Sequence, residues 1–251
     1  MKHVTLFIFG IFLSFFAFAQ DEIHNLIGND DYLQEKNINY FSDASSPGRL
    51  YTFQPRNQEI GGSPYLVDGQ VSGKLFTADS ILVNNMLFKY NSHDDCVEII
   101  TKGKRTNLFA HKIKGFSFYD VELAKTRVFV NGFKNYTDNL SPLTYYEVLY
   151  SGDVKLLINH DKPVIKIPSK ISTPGINSNT ATKQYSYSKH IYIQDGDRFI
   201  PIRFNRGSIM ESIGNGDIRK FLKDNKNRCR TTADVIEVLK FYEKLKEVEG
   251  E

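Results

Sequence analysis

The chain has 251 residues, with 32 Lys and Arg against 29 Asp and Glu, a formal charge of +3. At 41% hydrophobic and 24% charged the composition excludes a wholly disordered, collagen-like or multi-span membrane protein. So small a charge surplus does not indicate a nucleic-acid partner, which requires clustered Lys and Arg.

Lys2 and His3 precede a nearly continuous apolar run over residues 4–16, and Ala17, Phe18 and Ala19 follow. This is the pattern of a secretory signal peptide over residues 1–19, cleaved between Ala19 and Gln20. An uncleaved anchor is the rival reading, but the run is shorter than the roughly 20 residues that span a bilayer. No Cys stands directly after the run, so a lipid anchor is not indicated, and no second long apolar segment occurs, so the mature chain is expected to have no transmembrane segment. The expected location is the periplasm, the outer membrane or the extracellular side.

Residues 20–48 read as an irregular lead-in, polar and closed by Ser45-Ser46-Pro47-Gly48. Apolar runs of strand length follow at 50–53, 65–67, 71–76, 81–90, 97–101, 108–113, 116–119 and 127–130. In the longest, Met86, Phe88 and Tyr90 alternate with Leu87 and Lys89, which puts the three large groups on one sheet face. Residues 91–95 form a turn. Local turns between short strands favour an antiparallel meander, because parallel pairing needs long crossovers.

Two hairpins are the clearest local features. Strands 145–150 and 154–158 flank Ser151-Gly152-Asp153, and strands 190–193 and 199–204 flank Asp195-Gly196-Asp197, where Gly accepts the positive φ of a tight turn. Pro201 cannot donate to a ladder, so its strand belongs at an edge or a bulge. Residues 169–183 are too polar to pack and read as a mobile loop. In the tail, Asp217 is a candidate cap for a helix carrying Ile218, Phe221 and Leu222. Thr231 and Asp234 resemble a capping box before a helix from 232 to about 246, with Val235, Val238, Leu239, Tyr242 and Leu245 on one stripe. From Arg219 to Arg230 there are six basic residues and one acid, a candidate contact patch or a solvated face.

The reading is therefore α+β, mainly antiparallel β: a meander or half-barrel-like sheet at 49–206 with two C-terminal helices at 207–251. Fourteen Tyr and 19 Phe without Trp suit such a sheet. Tyr145, Tyr146, Tyr150, Tyr185, Tyr187 and Tyr192 gather near the hairpins, where half are expected to face the core and the rest suit an interface.

Catalytic motifs fail on inspection. Residues 69–75 resemble a phosphate loop but have three residues between the glycines, and Leu75 stands where a magnesium-binding hydroxyl is needed. Ser63 lies outside a G-x-S-x-G elbow. His93, Asp94, Asp95 and Cys96 are adjacent, yet four neighbours in a turn seldom converge on one ion and HExxH or paired Cys/His spacing is missing. No catalytic, cofactor or metal-binding residue is assigned. Cys96 and Cys229, 133 positions apart (229 − 96), are a candidate disulfide in an oxidising compartment, with two separately buried thiols as the alternative.

Pro64-Tyr65-Leu66, Phe88-Lys89-Tyr90-Asn91 followed by Asp95, the run from Tyr146 to Gly152 with Leu156-Leu157, and the closing helix around Phe241-Tyr242 resemble a broad group of uncharacterised exported proteins of the Bacteroidota. The resemblance brings no activity, cofactor or catalytic residue, and implies a bacterial envelope location. It also marks Ser80, in Asp79-Ser80-Ile81, as a candidate O-glycosylation site. The expected function is a non-enzymatic contact or binding module with an envelope protein or apolar ligand as partner. A periplasmic carrier of a lipid or other apolar ligand is the alternative, and an envelope hydrolase the third reading.

Overall fold

A computed structural model describes residues 60–101, 104–167 and 182–249. The expected signal peptide with Ala19 and Gln20, the lead-in, the strand at 50–53 and nearly all of the loop at 169–183 lie outside these residues. The described strands are β1 Ile60–Gly61, β2 Val71–Thr77, β3 Leu82–Asn91, β4 Cys96–Thr101, β5 Lys104–Phe109, β6 Ile113–Asp120, β7 Lys125–Val130, β8 Tyr146–Ser151, β9 Val154–Asp161, β10 Val164–Ile167, β11 Thr182–Tyr185, β12 Ser188–Asp195 and β13 Arg198–Ile202. Helices α1 Arg206–Ile213, α2 Gly216–Asp224 and α3 Thr232–Glu249 close the chain. The fold is α+β and mainly antiparallel.

Ten strands form one open sheet in the order β13-β12-β9-β8-β7-β6-β2-β3-β4-β5, and β1, β11 and β10 form a small second sheet. Every ladder of the large sheet is antiparallel. β5 is its edge, yet the chain passes from Phe109 to Ile113 and enters β6 beside β2. Four strand spacings across a flat sheet would be about 19 Å, and four residues reach at most about 14 Å. The β2–β6 portion must therefore curl. Tyr145 holds the curl from within: its N–H donates to Asp95 Oδ2 at 3.2 Å and its hydroxyl to the Ile113 carbonyl at 2.8 Å. Gly73 and Gly115 permit it, because a Cβ on either would strike the backbone carbonyl of Ser117 or Phe129 on the neighbouring strand.

Aromatic rings fill the curl. Phe88, Phe116, Phe129, Tyr90 and Tyr145 are buried, with Phe116 and Phe129 stacked at 4.7 Å and Tyr145 edge-on to Phe116 at 5.1 Å. Met86, Phe88 and Tyr90 share the buried face as their alternation requires. At the other end of the sheet, Val154, Leu156 and Ile193 meet Val235, Val238 and Leu239 of α3 in a second core. Leu157, next to Leu156 and so on the opposite face, joins Tyr146, Tyr192 and Phe199 in a third.

Both expected hairpins form, and β13 with Pro201 is the sheet edge. Four local expectations change. Residues 108–113 are not one strand: Lys112 N–H donates to the Phe109 carbonyl at 2.8 Å, closing a turn between β5 and β6. Residues 65–67 contribute only a bridge from Tyr65 to Asn91. A third helix, α1, is present, although Gly207 and Ser208 are weak helix formers, because Asn205 accepts from Ser208 N–H at 2.8 Å and Ile209 and Ile213 are buried. Asn215 rather than Asp217 caps α2, accepting from Ile218 N–H at 2.9 Å. The Thr231–Asp234 box forms as expected, each side chain accepting the other's N–H. Among the described residues no helix is long and apolar enough to cross a membrane.

Candidate functional site

Four neighbouring strands bring charge to one inward-facing patch. Asp120 on β6, Arg127 on β7, Glu147 on β8 and His160 on β9 are all more than nine-tenths buried. Alternation puts Arg127 on the same face as Phe129, and Phe129 is the register partner of Glu147. Arg127 grips Glu147 with two nitrogens, Nη2 at 2.8 Å and Nε at 3.2 Å, and reaches Asp120 with Nη1 at 3.1 Å. Its guanidinium lies 5.2 Å from the Phe129 ring centre, a cation–π contact. Lys125, nearly half exposed, adds a second cation at 3.1 Å from Glu147 Oε1.

The network fixes the His160 tautomer. Its Nε2 is 2.7 Å from Glu147 Oε2, and an ionised carboxylate only accepts, so Nε2 carries the proton. Nδ1 then accepts from the Tyr187 hydroxyl at 2.7 Å. The 3.1 Å approach of Arg127 Nη2 to His160 Nε2 is two donors converging on one oxygen. Tyr187 is 50% exposed, and its ring stacks on His160 at 19°. A hydroxyl, an imidazole and a carboxylate thus run from surface to interior.

The electrostatics hold this chain in one protonation state. Burial opposes the charge on Glu147, but hydrogen bonds from His160 and Arg127 outweigh it and hold the carboxyl well below its usual range. Burial pushes His160 down against the pull of Glu147, and burial pushes the Tyr187 phenol up. Tyr187 keeps its proton and Glu147 its charge, which suits a neutralised cross-strand tie better than a general base.

A second polar cluster surrounds the β3–β4 turn. Asp95, at φ 51, accepts from the Tyr90 hydroxyl at 2.7 Å and from Tyr145 N–H. Burial pushes its carboxyl up to about 6 against those hydrogen bonds. Asn91 donates to Asp94 and Glu98, and His93 Nδ1 sits 3.0 Å from the Lys162 carbonyl. His93, Asp94 and Asp95 therefore engage different partners, Cys96 is buried at the start of β4, and among the described residues no group of His, Cys, Asp and Glu could hold a metal ion.

Two carboxylates clamp α3 to the sheet. Asp195 in the β12–β13 hairpin accepts from Lys246 at 2.7 Å, Tyr242 at 3.1 Å and Arg198 at 2.6 Å. Glu243 accepts from the Tyr150 hydroxyl at 2.6 Å and Val154 N–H at 2.8 Å.

Cys96 and Cys229 are both free and both buried. The disulfide reading is thus replaced by the alternative of two separate thiols: Cys96 begins β4, and Cys229 belongs to the helix-side core. Ser80 lies exposed in the β2–β3 turn with φ 65, its hydroxyl accepting from Lys114 at 3.2 Å. Of the tyrosines singled out, Tyr145, Tyr146 and Tyr192 are core and Tyr187 is half exposed. The Arg127–Glu147–His160 network was not foreseen; its signal is charge at positions whose strand neighbours two residues away are buried apolar groups. No protein-family model, no curated protein and no solved structure matches the chain.

Proposed function

We propose that the protein is a non-enzymatic contact module of the cell envelope, engaging another envelope protein through an apolar tip on its curled sheet. The observation that carries this reading is a contiguous exposed patch. Phe76 and Leu82 are register partners across β2 and β3 and therefore face the same side. With Ile81 they are 39%, 43% and 43% exposed. Ala78 N–H donates to the Lys112 carbonyl at 2.8 Å, drawing the β5–β6 turn with exposed Phe109 alongside. Exposed apolar groups gathered at one end are what a contact surface needs.

Buried Phe88, Phe116, Phe129, Tyr90 and Tyr145 packed inside the curl support the same reading over a carrier, which needs a continuous apolar cavity. The polar network is tuned away from acid–base work, which counts against a hydrolase. Envelope location rests on the N-terminal sequence pattern. The test is native mass spectrometry of protein purified from its own envelope, as wild type and as Phe76→Ser/Leu82→Ser. A stoichiometric protein complex lost in the double variant is expected. A lipid or small apolar molecule bound to wild type in place of a protein would overturn the reading.

A further inference from the structure

From Arg219 to Arg230 the chain carries six basic side chains and the single acid Asp224. All six basic side chains are exposed, and among the described residues none of them is in a salt bridge. The whole chain is only +3, so a surplus of five here leaves the remainder net negative.

The backbone beneath these cations is fixed. On α2, Ile218 and Leu222 are buried one turn apart, and at about 100° per residue Arg219, Lys220 and Lys223 fall on the outward side. The link to α3 is pinned by two buried residues. Asn227 donates to the Asp234 carbonyl at 2.9 Å and accepts from Cys229 N–H at 2.8 Å. Burial of Asn227 and Cys229 alternates with exposure of Lys226, Arg228 and Arg230. Arg206 of α1 joins the face through the Arg219 carbonyl, and its charge acts on the Cys229 thiol. The result is a held array of cations on an ordered surface.

The chemistry of that surface selects its partner. No large hydrophobic residue between 203 and 230 is exposed; Phe204, Met210 and Phe221 pack against the helix-side core. Nucleic-acid single strands are held by exposed aromatic platforms as well as charge, and protein interfaces have a desolvated apolar centre. Neither feature accompanies these cations. An anionic lipid surface needs only charge presented together within a Debye length. We propose that the face formed by α2 and the α2–α3 link docks electrostatically on an anionic phospholipid bilayer. This rests on charge alone and is independent of the apolar tip.

The test is co-sedimentation of the exported protein, purified from its own envelope, with vesicles of phosphatidylcholine or of phosphatidylcholine with about one-third phosphatidylglycerol. Binding to the anionic vesicles only is expected. It should be lost between about 0.1 M and about 1 M salt, where the Debye length falls from about 10 to about 3 Å. Lys220→Glu/Lys223→Glu/Arg228→Glu should weaken it at least about tenfold, whereas Lys134→Glu/Lys189→Glu/Lys244→Glu, with the same change in net charge, should weaken it less than about threefold. The salt dependence of wild type stands if the first variant misfolds. Equal binding to both vesicle types, equal losses in the two variants, or tighter binding to a single-stranded oligonucleotide than to anionic vesicles would overturn the proposal.

Discussion

Glu147 and His160 meet at 2.7 Å on the inward face of β8 and β9, although the ladder pairs Glu147 with Ile158. The contact is a diagonal one, and Arg127 reaches the same carboxylate oxygen from β7. Removing one member of such a buried set strands the others. Arg127→Met should therefore cost about 3–5 kcal/mol of stability, because Glu147 is left charged in the interior. The double variant Arg127→Met/Glu147→Leu should recover most of that loss. Urea unfolding of the three proteins checks this, and a double variant as unstable as the single would sink the account.

Asp95 gives a pH signature of defined sign. Its folded carboxyl is raised to about 6 from 3.8, so the folded state binds the proton more tightly than the unfolded chain. The stabilising contribution is fully present below about pH 4 and is lost as pH rises through about 6. Asp95→Asn carries no charge and tolerates φ 51. Relative to wild type it should gain stability between pH 4 and pH 7, on the order of 2 kcal/mol. Parallel unfolding titrations measure the difference, and a gain toward acid would contradict the assignment.

Much of the sheet was legible because its signals are local. Alternation at Met86, Phe88 and Tyr90, the turn at Asp195-Gly196, and Pro201 at an edge each follow from the covalent properties of a few neighbours. Gly196 does take positive φ at 58. The curl was only partly legible. It depends on β6 returning to β2, a pairing between residues far apart in sequence, and the apolar residues on either side of His111 and Lys112 hid the turn that makes it possible. The buried network was missed for a related reason: Arg127, Glu147 and His160 come from three strands, and each alone resembles a surface charge. Parity was the available clue, since Arg127 shares the face of Phe129 and His160 that of Ile158.

Gly152 illustrates how a residue that signals a turn can serve packing instead. It has no positive φ, and a Cβ there would fall on the Glu243 carboxylate and close to the Tyr150 hydroxyl. Gly152→Ala should therefore displace Glu243 from Tyr150 and Val154, costing about 1–3 kcal/mol. Glu243→Ala alone should also destabilise, and the two losses should not add, since both break the same clamp. A double-mutant cycle by thermal or chemical unfolding reads this directly; strict additivity would mean that Gly152 matters for another reason.

The two thiols yield the last test. Burial raises both, Cys96 strongly and Cys229 to about 11, and for Cys96 the charge of Glu98 adds to the effect. Thiolate is the reacting species, so neither cysteine should react with a thiol reagent in the native protein at neutral pH, and both should react once it is unfolded. The distinction from a disulfide lies in that second step. A Cys96–Cys229 bond would leave the unfolded, unreduced chain equally silent, whereas two free thiols label without any reductant. Reductant should likewise leave the unfolding midpoint unchanged, because no loop closure is being released. Labelling that appears only after reduction would restore the disulfide and place the two cores under a covalent tie.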